Sequence, residues 1–217
     1  MAKRKLNVGL LTLGMVATNF YFVFDPEKID ENGKKHVICF DPGDRGKYIY
    51  DYLSEKDFVV DLILLTHGHF DHIGGVEELK ELTGAKVGCY EKEIAICQDP
   101  HLNLSNYYGM NLGITPDVTY RDGDIIEAAD LSCKLIATPG HTSGGCCYYF
   151  EDADILISGD TLFEESVGRT DFPTSSTSEL VRSVTERLFV LPDETYVYPG
   201  HGEMTTIGHE KEYNPFF

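Results

Sequence analysis

Asp61-Leu62-Ile63-Leu64-Leu65-Thr66-His67-Gly68-His69-Phe70-Asp71-His72 is an apolar, strand-like run that ends directly in a cluster of metal-type donors. His67, His69, Asp71 and His72 fall within six residues, at the point where a buried strand must surface. A strand holds the first donors of such a loop rigidly, and the short loop beyond can turn the later ones toward a second position. Imidazole nitrogen and carboxylate oxygen suit zinc or a similar first-row ion.

Three more apolar runs end in the same way. Lys134-Leu135-Ile136-Ala137-Thr138-Pro139-Gly140 delivers His141, Asp154-Ile155-Leu156-Ile157-Ser158-Gly159 delivers Asp160, and Thr195-Tyr196-Val197-Tyr198-Pro199-Gly200 delivers His201. A glycine stands one residue before each donor, where a sharp turn or close backbone approach is needed. Four strands emptying donors from their C-terminal ends imply one shared edge and one site. Seven donors (His67, His69, Asp71, His72, His141, Asp160 and His201) exceed what one tetrahedral ion takes. They suit two divalent ions sharing a carboxylate, a pairing in which the ions lie roughly 3.5–4 Å apart and clamp an attacking hydroxide.

Composition bounds the rest. With 42% hydrophobic residues in 217, a packed core is expected. A formal net charge of −18 argues against nucleic acid as a partner. The six cysteines form no CxxC pair, so they read as buried, reduced, small hydrophobes of a cytoplasmic protein. Lys3-Arg4-Lys5 followed by Leu6 to Phe24 mimics a signal peptide, but Asn7, Thr12 and Asn19 interrupt it, and two strands near 6–13 and 16–24 are expected instead. No run is long and apolar enough to span a membrane.

Further along, a long-looped hairpin joins Phe20–Phe24 to His36–Phe40, and helices are expected over 46–56 and 74–83. A strand over 86–90 precedes a short helix over 91–97. Residues 98–116 carry little pattern and read either as a lid or pocket wall or as a wandering surface connection. Asp122-Gly123 signals a hairpin, and strands are expected near 125–128, 131–138, 145–150 and 154–158. Ser176-x-x-Glu179 fits a capping box that opens a helix with Leu180, Val184 and Leu188 on one face. Without a composition shift or linker, residues 1–217 read as one domain, an α/β sandwich.

Thr66-His67-Gly68-His69-Phe70-Asp71-His72 with His141, Asp160 and His201 resembles the metallo-β-lactamase superfamily. The resemblance covers nearly the whole chain and implies a four-layer αββα fold. It implies one ion held by His67, His69 and His141, the other by Asp71, His72 and His201, and Asp160 bridging them. Ser158-Gly159-Asp160-Thr161-Leu162-Phe163, Gly168-Arg169-Thr170-Asp171-Phe172-Pro173 and Pro199-Gly200-His201-Gly202-Glu203-Met204-Thr205-Thr206, with the closing Asn214-Pro215-Phe216, are similar to the glyoxalase II (hydroxyacylglutathione hydrolase) group, in its short bacterial form. That group implies two zinc ions, with iron or manganese as alternatives, and an acyl-thiol substrate. It implies Asp71 as the residue that orients the attacking water and Arg169 as a basic contact or an ordinary surface arginine. Longer glyoxalase II enzymes bring further basic residues for glutathione in a helical extension. Here 16 residues follow His201, with Lys211 as the firm cation among them, so thioester cleavage and glutathione use are separate expectations.

Two rival readings share these residues. Mononuclear iron persulfide dioxygenases resemble the same loop and the Gly168–Phe172 segment, and would use His67, His141 and Asp160 on one iron. A non-catalytic metal-binding protein would keep the donors alone. A true β-lactamase would lack the bridging carboxylate that Asp160 supplies, a di-iron oxygen reductase would carry glutamate at His69, and a nuclease would need a larger insertion. His36, His101 and His209 read as surface or locally satisfied groups.

Overall fold

The computed structural model describes residues 3–217. Six strands form the first sheet in chain order: β1 (Asn7–Leu13), β2 (Thr18–Phe24), β3 (Lys35–Phe40), β4 (Phe58–Leu65), β5 (Lys86–Tyr90) and β6 (Val118–Tyr120). β1 to β3 meander antiparallel, and β3 to β6 run parallel. The parallel crossovers carry α1 (Gly46–Glu55), α2 (Phe70–Ile73), α3 (Val76–Thr83) and α4 (Ile94–Gln98). The second sheet contains β7 (Ile125–Ala128), β8 (Leu131–Ala137), β9 (Cys146–Phe150), β10 (Ile155–Gly159), β13 (Tyr196–Pro199) and β14 (Thr205–Thr206), in the spatial order β14-β13-β10-β9-β8-β7. A small hairpin, β11 (Leu162–Phe163) and β12 (Ser166–Val167), follows β10, and α5 (Thr177–Ser183) and α6 (Ile207–Tyr213) complete the elements.

The β4 sequence shows why the layers form. Leu62 and Leu64 point between the sheets, into a core shared with Phe40, Leu135, Tyr148 and Phe150. Ile63 and Leu65 point the other way and pack under Ile49 and Leu53 of α1 and Val76 and Leu79 of α3. Both faces of β4 are therefore covered, which is why the run is continuously apolar instead of alternating. The outer face of the second sheet buries Ile136, Tyr149, Leu156 and Val197 beneath Val184, Leu188 and Ile207. Each fully buried side chain of this size contributes about 1.5–3 kcal/mol, so three such clusters fix the four-layer αββα order.

The sequence expectations mostly hold. The basic-apolar N-terminal stretch forms β1 and β2, paired in register from Asn7–Phe24 to Leu13–Thr18. All six cysteines are free and buried. Ser176 caps α5 by accepting from the Glu179 N–H, and beyond Ser183 the helix widens into a π-helical turn that still buries Val184 and Leu188. Among the described residues no helix is long and apolar enough to cross a membrane.

Two expectations change. Asp122-Gly123 does not close a hairpin: β6 pairs with β5 in the first sheet, and β7 pairs with β8 in the second. The Asp122 carboxylate accepts from Ala137 N and Arg187, anchoring the turn to the second sheet as the chain crosses over. The single shared edge also becomes two facing edges. β4 belongs to the first sheet, whereas β8, β10 and β13 lie in the second, pointing the same way because β9 runs antiparallel to both β8 and β10.

On the far side, His36 at the start of β3 meets Asp61 of β4 at 2.6 Å and Asp30 at 3.6 Å. The Asp61 hydrogen bond and charge hold the imidazole above its ordinary 6.5, against the opposing effect of burial. A raised folded-state pKa stabilises below the unfolded value and loses that contribution as pH rises through the folded value. His36→Gln is therefore expected to lower the melting temperature slightly at about pH 6 and not at about pH 9, as thermal unfolding at the two pH values would measure.

Candidate metal centre

The site begins where β4 runs out. The Asp41 carboxylate, just past β3, accepts from Thr66 N at 2.8 Å, Thr66 Oγ1 at 2.6 Å and His72 Nδ1 at 2.9 Å. Thr66 Oγ1 gives its proton to Asp41 and so accepts from His67 Nδ1, 3.1 Å away. This network puts the ring protons of His67 and His72 on Nδ1 and leaves each Nε2 lone pair facing the site. His141 is set the same way, its Nδ1 donating to the Arg169 carbonyl at 2.8 Å. Asp71 and His72 sit on the one-turn helix α2, and Thr18 Oγ1 of β2 donates to Asp71 Oδ2 at 2.8 Å.

The second sheet brings the remaining donors opposite. His141 Nε2 lies 2.9 Å from His69 Nδ1 and 3.4 Å from Asp160 Oδ2. Asp160 Oδ1 faces His72 Nε2 at 3.4 Å, and Oδ2 also faces His201 Nε2 at 3.6 Å. His201 Nε2 lies 3.3 Å from Asp71 Oδ2. All seven sequence-predicted donors thus converge, with one carboxylate between two groups. His67, His69 and His141 form one set whose donor atoms could hold an ion, and Asp71, His72 and His201 form another.

Close approach demands glycine at two of the turns. Gly159 adopts φ +49°, and a Cβ there would meet Thr66 Oγ1 at 2.2 Å. A Cβ on Gly200 would meet Asp160 Oδ1 at 2.2 Å and His72 Cε1 at 2.7 Å. The His201 loop is tied to β2: Asn19 Nδ2 donates to the carbonyls of Pro199 and Gly202, and the Tyr21 hydroxyl donates to Pro199.

Buried His67 Nε2, His69 Nε2, His72 Nε2 and Asp160 Oδ1 have no hydrogen-bond partner within the protein. An unsatisfied buried polar group costs about 1–3 kcal/mol, so four together call for a shared cation. The electrostatics agree. Burial pushes His67 well below its ordinary value and His69 down to about 3, so both rings are neutral donors at neutral pH. Burial opposes a charge on His72, but Asp71, Asp160 and Asp41 outweigh it and raise the ring well above its ordinary value, so they favour a positive charge at His72 Nε2, which a proton or a metal ion can supply. Burial opposes ionisation of Asp71 and Asp160, but that charge, with hydrogen bonds to Asp71 from His201 and Thr18, outweighs it, holding Asp71 at about 2 and Asp160 well below the carboxylate range.

A cavity of about 770 Å³ opens over the donors, walled by Phe70, Leu104, Tyr108, Phe163 and Phe172. The unpatterned 98–116 segment is therefore a pocket wall, supplying Leu104, Tyr107 and Tyr108. His101 lies outside the cavity lining, exposed and against Asn106. Among the described residues Arg169 is the one lysine or arginine in the cavity lining, and Asp171 already holds it through two bonds of 2.9 and 2.7 Å while it stacks on Phe172. Sequence reasoning missed Thr18, Asp41 and Glu93. Asp41 stood in an Asp-Pro-Gly turn, and Glu93 in a polar helical stretch gave no signal of its burial.

A family profile described as the metallo-beta-lactamase superfamily matches residues 14–201. The chain belongs to this superfamily. A probable metallo-hydrolase of Bacillus subtilis, YqgX, is 36% identical over 95% of each chain. Hydroxyacylglutathione hydrolase GloC of Haemophilus influenzae is 29% identical over 97% of this chain and 98% of its own. Among solved structures, BLEG-1 B3 metallo-beta-lactamase aligns with TM-score 0.88 at 32% identity, covering 97% of this chain and 99% of its own. TTHA1623 in a di-iron-bound form aligns at 0.82 and 30%, covering 96% and 100%. ETHE1 from Myxococcus xanthus aligns at 0.76 and 29%, covering 96% and 83%. The superfamily is metal-dependent and the His/Asp clusters of this chain can bind metal, so an enzyme of the metallo-hydrolase type follows.

The Gly200 contact gives a direct test. Gly200→Ala is expected to displace Asp160 and lower bound metal at least tenfold, the scale of a disturbed outer shell. Elemental analysis of the purified variant measures the loss, with circular dichroism expected to show an unchanged fold.

Proposed function

We propose that the chain is a binuclear metallohydrolase that cleaves a thioester, a hydroxyacyl-glutathione or a similar acyl-thiol. The observation that carries this reading is the position of Asp160, whose Oδ2 lies 3.4 Å from His141 of one donor set and 3.6 Å from His201 of the other, while its Oδ1 faces His72 of that second set at 3.4 Å. In this reading His67, His69 and His141 hold one divalent ion, Asp71, His72 and His201 hold the other, and Asp160 is shared. Zinc is the proposed metal; iron and manganese take the same donor types. Bound ions would lower the pKa of water from about 15.7 toward 7 and polarise a carbonyl oxygen.

The chain's own residues supply the rest. Asp71 lines the cavity, its Oδ2 held by Thr18, and is placed to accept a hydrogen bond from an attacking water and orient it. Phe70, Tyr108, Phe163 and Phe172 hold the acyl group and exclude bulk water. A thiolate leaving group has a pKa of about 8.5 and departs without a proton, whereas an amine needs one; a thioester therefore suits the site better than a lactam. Six free, buried thiols support a reducing, cytoplasmic setting. The net charge of −18 supports a small-molecule partner over nucleic acid.

Metal analysis of protein purified without added metal separates the readings. Two ions per chain with thioester turnover supports the hydrolase; one iron with oxygen uptake supports a persulfide dioxygenase built on His67, His141 and Asp160. The assay panel includes a chromogenic β-lactam, because of the BLEG-1 likeness. Asp160→Ala is expected to lose metal and thioesterase activity together, and full activity in metal-depleted Asp160→Ala would overturn the mechanism.

Arg169 gives a finer prediction. Glutathione carries two carboxylates, and the one lining cation is already engaged by Asp171. Asp171→Asn is expected to free Arg169 and lower KM for a glutathione thioester roughly two- to fivefold, the worth of an exposed ion pair, with kcat unchanged in steady-state assays.

A further inference from the structure

Glu93 is a fully buried carboxylate that no role described above uses. It stands between β5 and α4, outside the seven donors. Its Oε1 accepts from the Gly68 N–H at 2.8 Å, between His67 and His69. Its Oε2 accepts from the Thr142 hydroxyl at 3.0 Å, next to His141. The Gly144 N–H makes a further contact, and the backbone there lies so near that a Cβ on Gly144 would meet Glu93 N at 2.5 Å and Oε2 at 2.6 Å. Gly68 follows a strand of the first sheet, whereas Thr142 and Gly144 follow a strand of the second. One side chain thus joins the two loops whose three histidines form a single donor set.

We propose that Glu93 is a positioning residue for the three-histidine position: it fixes the distance between the His67–His69 loop and the His141 loop, and so sets that position's affinity for its ion. The groups facing it are donors. The backbone N–H groups of Gly68 and Gly144 can only donate, so the side chain must offer an acceptor to each, and a carboxylate does so with either oxygen while also taking the Thr142 proton. Glutamine keeps the shape but turns an NH₂ toward one of the donors. Alanine leaves Gly68 N–H and the Thr142 hydroxyl unpaired in a dry site. The Asp71, His72 and His201 set receives no contact from Glu93, and its outer support comes instead from Asp41, Thr18 and Asn19. The effect is therefore confined to one position.

The test uses zinc as the probe, in competition with a chromophoric chelator, on metal-depleted protein. His201→Ala leaves the three-histidine position as the tighter one, and His69→Ala leaves the other. Glu93→Gln is expected to weaken zinc about ten- to hundredfold in the His201→Ala background and to change nothing in the His69→Ala background. Equal weakening in both backgrounds would make Glu93 a general structural residue, and no weakening in either would make it irrelevant to the ion; both overturn the proposal. Should Glu93→Gln fail to fold, Thr142→Val removes one donor and leaves the carboxylate, with a severalfold weakening expected in the His201→Ala background alone. If neither His69→Ala nor His201→Ala lowers zinc stoichiometry in the parent chain, the ligand assignment fails, and that result is distinct from a failure of Glu93.

Discussion

Four buried polar atoms in the centre of this molecule have no partner in the protein: Nε2 of His67, His69 and His72 and Oδ1 of Asp160. The rest of the structure depends on that constraint. Donors crowded at one point satisfy one another only in part: His69 Nδ1 and His141 Nε2 meet at 2.9 Å, while these four atoms stay unpaired. Their other atoms must be fixed from behind. Asp41 and Thr66 fix His67 and His72, the Arg169 carbonyl fixes His141, and Thr18 fixes Asp71. Each bond chooses a tautomer or a carboxylate orientation, which makes it a chemical control as well as a structural one.

The αββα order makes this possible at low cost. Two sheets packed face to face bury their strands on both sides, so the strand ends cannot drift. Donors from β4 face donors from β8, β10 and β13 across the top of the inter-sheet core. The same edge is stitched by bonds that cross between sheets: Tyr148 Oη donates to Leu65 O at 2.8 Å, and Cys146 N to Thr66 O at 2.9 Å. Sheet packing sets the coarse separation of the two halves, and side chains such as Asn19 adjust it locally.

The donors themselves were legible in the sequence because metal chemistry restricts residue type, and strand-end placement restricts position. Seven residues read from their neighbours all arrived at one point. The partition into two sheets was not legible, since strand-like runs record burial and not which neighbour covers them. Asp122-Gly123 shows the limit: its composition suits a tight hairpin, yet its carboxylate serves Ala137 of the second sheet and Arg187 of the helical segment after α5. Outer residues such as Asp41 and Glu93 were invisible for a related reason. An acidic residue beside a turn or in a short helix is ordinary on a surface, and only long-range packing reveals that these two are buried.

Charge places the remaining limit on what the site can accept. The chain carries −18 formal charges, and ions at the centre would offset only a few of them. The cavity wall adds one arginine, and Asp171 cancels it at contact distance. An anionic substrate therefore gains little from the wall and meets an unfavourable field over the approach. An acyl group gains from Phe70, Tyr108, Phe163 and Phe172, which offer apolar area and no charge. In the proposed reading, attraction for a negative group would come mainly from bound ions, at the reacting carbonyl. On the proposed hydrolysis the architecture would separate two tasks: binding energy would come from aromatic walls remote from the chemistry, and charge stabilisation would be concentrated where an oxyanion develops, which is the distribution that favours the transition state over the bound substrate.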